Sequence, residues 1–187
     1  DRPKERGERV KPAPRADQVV AERVLAGAHG SVLPLSNAAV CQGARGGPPD
    51  ACSSVEGASS EQAGGTALAF GQDFALDDAG CRLASTVTAW SPVDILVLNA
   101  SIELPEAYQT ISRERFDKQV SVNLRSPLEL LQALVPAMGA RGWGRVVTIG
   151  SVQQVRPHPQ MMVYAGTKAA QLNWSWNLAR QFGGQGV

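Results

Sequence analysis

Apolar residues are scattered through the first third of this chain and fall into ordered runs from Gly64 onward. Thr66 to Phe70 predicts a short strand, and Asp77 to Ala89 an amphipathic helix with Asp77 or Asp78 as its cap. Val93 to Leu98 predicts a buried strand. Ser112 stands where a cap belongs, with Arg115 three residues on, and a long helix is expected from Arg113 to Met138, bent at Pro127. Arg145 to Gly150 is a β-branched run entered from a Gly-Trp-Gly turn, which suits a strand buried on both faces of a parallel sheet. After Pro157 and Pro159, good helix formers and an apolar stripe (Val163, Leu172, Trp176, Leu178) predict a helix from Met161 to Gln181. Strand and helix alternate, the mark of a parallel α/β sheet.

The polar residues that interrupt this pattern carry its chemistry. Ser151 follows the strand at Arg145 to Gly150, at the carboxyl end where open α/β sheets place their ligands. Tyr164 and Lys168 are four apart on the next helix and so share a face. A tyrosine hydroxyl, with an ordinary pKa near ~10, is a poor base at neutral pH, but a neighbouring ammonium stabilises its phenolate. Tyr164 could then exchange a proton with a substrate carbonyl or alcohol while Ser151 hydrogen-bonds the same oxygen. Taken singly, these residues have plainer readings: a turn cap for Ser151, a half-buried aromatic for Tyr164, a solvated charge for Lys168. Asn99 alone would be a turn residue and Asn123 a helix-surface amide.

Together they resemble the short-chain dehydrogenase/reductase family, in which a serine is followed about a dozen residues later by Tyr-x-x-x-Lys. Ser151, Tyr164 and Lys168 match that pattern. Val93 to Ser101, VDILVLNAS, looks like the strand ending in Asn-Asn-Ala-Gly, with Asn99 and Ala100 matching and Leu98 and Ser101 departing. Asn123 looks like the helix asparagine that completes a catalytic tetrad. Gly64 to Asp77 resembles the segment whose aspartate, here Asp73, contacts the adenine ring. The resemblance implies an α/β fold, a Rossmann-like parallel sheet with flanking helices in three α/β/α layers. GGQGV at the end of the chain looks like the entry to the family's next strand, so the last strands are expected to be missing.

Residues 19 to 62 should hold the dinucleotide fingerprint, a strand running through a glycine turn into a helix. Gly27 and Gly30 in VLAGAHGS resemble a shortened form of the family's Thr-Gly-x-x-x-Gly-x-Gly turn. Only Leu33 to Asn37 would separate it from the second-strand candidate Ala38 to Arg45, whereas a parallel crossover needs a dozen or more residues. Few backbone donors would face a pyrophosphate there, which predicts poor dinucleotide binding or none. Gly43, Gly46 and Gly47 are a second candidate turn, but Pro48 and Pro49 follow where a helix would have to run. Residues 1 to 18 combine charges and prolines with little that is apolar, and read as a disordered arm before a single domain over 19 to 187.

Composition narrows the partners. A net charge of +1 gives no field that would draw nucleic acid or a membrane surface. No apolar run approaches the ~20 residues that span a bilayer. Cys41, Cys52 and Cys81 lack metal-ligand spacing and read as free thiols of a reducing compartment. No metal, nucleic acid or membrane is therefore expected, and a cytoplasmic location is.

As an enzyme the chain would transfer hydride between NAD or NADP and an alcohol or carbonyl, as the resemblance implies. Tyr164 would be acid/base and Lys168 would assist it and hold the nicotinamide ribose. Ser151 would orient substrate, Asn123 would support a proton relay, and Gly27, Gly30, Asp73, Asn99 and Ala100 would line the cofactor. Gln153, Gln154, Arg156, His158 and Met161 would border the substrate pocket. The competing reading is an inactive or truncated relative acting through protein contacts. A homodimer or homotetramer is expected through the two long helices, using Leu128, Leu131 and Leu134 on one and Trp174, Trp176 and Leu178 on the other.

Overall fold

A computed structural model describes residues 70–187. The arm over 1–18, the glycine turn with Gly27 and Gly30, and residues 66–69 of the first expected strand lie outside the described residues. Strand β1 (Ile95–Leu98) and strand β2 (Arg145–Thr148) pair in parallel, with Ile95 opposite Arg145 and Leu98 opposite Thr148. Paired residues in this register point to the same side. Leu96, Leu98, Val146 and Thr148 therefore share one face, and Ile95, Val97, Arg145 and Val147 the other.

The first face meets the helices. Leu96 and Leu98 are buried in one cluster with Leu83, Val87, Leu130, Leu134 and Met138, and Val146 packs against it. Val97 and Val147 take no part in that cluster, and Val147 is 43% exposed. The strand read as Arg145 to Gly150 thus stops at Thr148, and among the described residues it is covered on one face. Among the described residues, the sheet and one helical layer of the α/β arrangement are present.

Helix α1 (Ala79–Trp90) turns Ala79, Leu83, Ala84 and Val87 inward. Its expected cap does not form. Asp78 sits at the N-cap position with φ 55° and makes no side-chain cap, and Asp77 instead pairs with Arg125 at 3.0 Å. The first turn is satisfied from a distant helix, Gly80 N donating to Glu129 Oε2 at 2.8 Å. A negative carboxylate suits the positive end of a helix. Gly80 also permits the contact, because a Cβ there would lie 2.7 Å from Glu129 Cβ and closer still to the Ser126 carbonyl oxygen.

Helix α2 (Arg113–Val120) starts as its sequence predicts, with Ser112 Oγ accepting from Arg115 N at 3.2 Å. The expected single helix then divides. Ser121–Arg125 is a π turn and α3 (Ser126–Ala140) follows, with Pro127 in its first turn. The irregularity precedes the proline because Pro127 has no N–H to offer the carbonyl four residues back, that of Asn123. Gln171 Nε2 donates to that oxygen at 2.7 Å. Leu131 and Leu134, expected on an association surface, are core residues at 4% and 2% exposure, because this face of α3 packs on the sheet.

Helix α4 (Met162–Phe182) matches its predicted span within a residue at each end. Its apolar residues divide, since Trp174 and Leu178, expected with Trp176 on the association surface, pack against the core. Trp176, placed in the apolar stripe, is 61% exposed, and the fully buried positions are the polar Thr167, Lys168 and Gln171. Apolar packing comes from Trp174, Leu178 and Phe182 in its second half.

Candidate active site

The carboxyl ends of β1 and β2 and the first half of α4 converge. Ile149 N donates to Leu98 O at 3.0 Å, carrying the strand pairing one residue beyond β2. Lys168 reaches this junction from α4. It is 2% exposed, and Nζ donates to Ile149 O at 2.9 Å and to Gln171 Oε1 at 3.3 Å. A buried ammonium is tolerable only when hydrogen-bonded, and these acceptors serve it. One helical turn earlier on the same face lies Tyr164, half-buried, with Lys168 Nζ 5.9 Å from its ring centroid. The four-residue spacing therefore does bring phenol and ammonium together.

Ser151 follows β2 and begins a short 3-10 turn, Val152–Gln154. Its Oγ accepts from Gln153 N at 3.2 Å, and its N–H donates to Gln154 Oε1 at 3.2 Å. The plain reading of a turn cap is realised, yet a hydroxyl that accepts from the backbone keeps its own hydrogen to donate. Capping fixes the side chain at the strand end and leaves it able to bond a substrate oxygen.

Asn123, fully buried on the π turn, is bound on every side. Oδ1 accepts from Ile102 N at 2.8 Å and from Ser101 Oγ at 3.3 Å. Nδ2 donates to Ile102 O at 2.9 Å and to Thr167 Oγ1 at 3.1 Å. The side chain thus clamps the loop after β1 to α4, whereas a helix-surface amide would face water. That loop carries Asn99, exposed, and Ala100, 2% exposed, at the carboxyl end of β1. Asp73 is exposed on the turn before α1, where Oδ1 accepts from Ala75 N at 2.8 Å.

A concavity lined by Gln153, Gln154 and His158, with Tyr108, Met162 and Ala165, runs along α4. Three of the expected pocket residues are in its wall, while Arg156 and Met161 are not. Met162, Ala165 and Ala169 bring α4 into this wall, and Tyr164 and Lys168 are not part of it. Sequence reasoning missed Gln171, although its spacing of seven from Tyr164 and three from Lys168 places a third polar group on their face. Thr167 was missed for the same reason.

These elements define a class, a Rossmann-like α/β protein with serine at one strand end and tyrosine and lysine a turn apart on the following helix. A model of the short chain dehydrogenase family matches residues 49–187, and the chain belongs to that family. Nodulation protein G of Azospirillum brasilense is 33% identical over 96 residues, 51% of this chain and 39% of that protein. A short chain dehydrogenase of Pseudocercospora fijiensis is 35% identical over 127 residues, 66% of this chain and 41% of that one. Among solved structures, a 3-oxoacyl (acyl-carrier-protein) reductase of Agrobacterium tumefaciens C58 with NADP bound superposes with a TM-score of 0.66 at 42% identity, covering 68% of this chain and 49% of that chain. A short chain dehydrogenase of Burkholderia cenocepacia J2315 in complex with NADP gives 0.62 at 33% identity, over 70% and 54%. The chain thus spans about half the length, or less, of these relatives. Among the described residues no helix is long and apolar enough to cross a membrane.

Proposed function

We propose that this chain carries the family's oxidoreductase chemistry, hydride transfer between a nicotinamide dinucleotide and an alcohol or carbonyl. The observation that supports it best is the Lys168 ammonium, buried and bonded at the end of β2, 5.9 Å from the Tyr164 ring. A lysine placed only to be solvated would point outward. The residues at hand suit the nicotinamide-ribose end of a dinucleotide: a phenol, an ammonium and the open strand-end residues Asn99 and Ile149. Gly27 and Gly30 are proposed to face the pyrophosphate, and Asp73 the adenine.

When bound, the nicotinamide gives or takes the hydride. Ser151 donates its hydroxyl hydrogen to the substrate oxygen and holds it. Tyr164 gives a proton to that oxygen in reduction and takes it back in oxidation, and the Lys168 charge stabilises the phenolate left behind. Asn99 and Ala100 would line the cofactor from the β1 loop, which Asn123 holds from behind.

NADP is the first dinucleotide to test, because solved relatives carry it, and NAD is the second. Calorimetric titration up to about 10 mM should show saturable binding, weak enough to fall toward the millimolar range if residues 19 to 62 present few phosphate donors. Lys168→Met should weaken it about tenfold. Absence of binding at the top of that range with both dinucleotides would contradict the reading.

The same proposal includes a homodimer. α2, the π turn and α4 frame a groove lined by Ile111, Phe116, Val120, Leu124 and Val163, and Phe116, Leu128 and Trp176 are 46%, 41% and 61% exposed. Apolar surface of this kind marks association. Light scattering at micromolar concentration should give twice the chain mass or more, and a monomer mass would exclude this face as the interface.

A further inference from the structure

We infer that Gln171 is the positioning residue for Lys168, tying its ammonium to the π turn of Asn123; this rests on the proposed working roles of Lys168 and Tyr164. Gln171 is 2% exposed and spans two partners that nothing in the sequence links. Nε2 donates to Asn123 O at 2.7 Å, and Oε1 accepts from Lys168 Nζ at 3.3 Å. The orientation of this amide is chemically forced. A carbonyl oxygen can only accept, so the NH2 end must face Asn123. An ammonium can only donate, so the oxygen must face Lys168. Either group turned the other way would set donor against donor and acceptor against acceptor.

The acceptor on the π turn exists because Pro127 withholds the α-helical donor from the Asn123 carbonyl. The side chain of the same Asn123 grips Ile102 and Thr167. One rigid unit therefore runs from the loop after β1 through Asn123 and Gln171 to Lys168. With Ile149 O on one side and Gln171 Oε1 on the other, the ammonium of this long side chain is held near the Tyr164 ring. Gln171 also changes what Asn123 contributes. An amide, which neither gains nor loses a proton near neutral pH, stands between Lys168 and the Asn123 carbonyl. The influence of Asn123 on Tyr164 along this path passes through where Lys168 is held.

Gln171→Met keeps the length of the side chain and removes both hydrogen bonds. In the unaltered chain, nitrogen-15 NMR should show a slowly exchanging ammonium signal, assigned to Lys168 by its loss in Lys168→Met. In Gln171→Met that signal should broaden beyond detection while circular dichroism keeps its helical shape, and kcat should fall about tenfold with substrate KM within about twofold. Gln171→Glu, which retains an acceptor for Lys168, should preserve the ammonium signal better than Met does. A ranking with Met equal to or better than Glu, or an unaltered signal in Met, overturns the inference. Should Gln171→Met not fold, Gln171→Asn replaces it: its shorter arm cannot span both partners, and a retained signal there is equally fatal. Absence of turnover in the unaltered chain would count against the proposed oxidoreductase reading alone, with the ammonium signal still deciding the role of Gln171.

Discussion

Replacing Tyr164 by phenylalanine should reduce dehydrogenase turnover at least about a hundredfold, the lower end of what a positioned acid/base contributes. The change deletes one oxygen. The aromatic ring that lies 5.9 Å from Lys168 Nζ is kept, so the ammonium retains its neighbour. Tyr164 serves the fold through its backbone, whose carbonyl accepts from Thr167 Oγ1 at 2.7 Å, and this too is unaffected. Thermal denaturation should therefore be nearly superimposable on that of the parent chain. Initial rates within a few-fold of the parent would remove Tyr164 from the mechanism.

Asn123→Ala should have the largest effect on stability. Four side-chain hydrogen bonds disappear together, and Ile102, 4% exposed, loses the partners of both its N–H and its C=O. An unmet buried backbone group costs roughly ~1–3 kcal/mol. Two such groups, with the Thr167 and Ser101 contacts also gone, bring the expected loss to about 3–5 kcal/mol, a large share of the ~5–15 kcal/mol that holds a typical domain together. Urea denaturation followed by circular dichroism measures it directly. If Asn123 served only in proton transfer, the midpoint would hardly move. A loss below about 1 kcal/mol would show that the β1 loop is fixed by other means.

What could be read from the sequence divides along the range of the interactions. Helix α4 and the shared face of Tyr164 and Lys168 follow from a local period, and Ser112 caps α2 through a bond three residues long; both were legible. The π turn was not, because the carbonyl that Pro127 leaves undonated is satisfied by Gln171, 48 residues away. The start of α1 escaped for a similar reason. A local cap by Asp78 was the natural expectation, but Glu129 does that work across 49 residues. Apolar patterning also misjudged two surfaces. It assigned Trp174 and Leu178 of α4 to the association face, although both pack against the core. It assigned Leu131 and Leu134 to an interface although the sheet claims them. In both cases the pattern recorded apolar content correctly, and only the packing partner decided the direction.

Transfer of deuterium from NADPH deuterated at the nicotinamide to the alcohol formed from a panel of small ketones and aldehydes, read by mass spectrometry, tests hydride transfer by this chain most directly. Label in at least one product alcohol with the unaltered protein at millimolar nucleotide, reduced about a hundredfold or more in Tyr164→Phe, is the predicted result. Unlabelled product across the panel, or equal labelling by the parent and Tyr164→Phe, would contradict it.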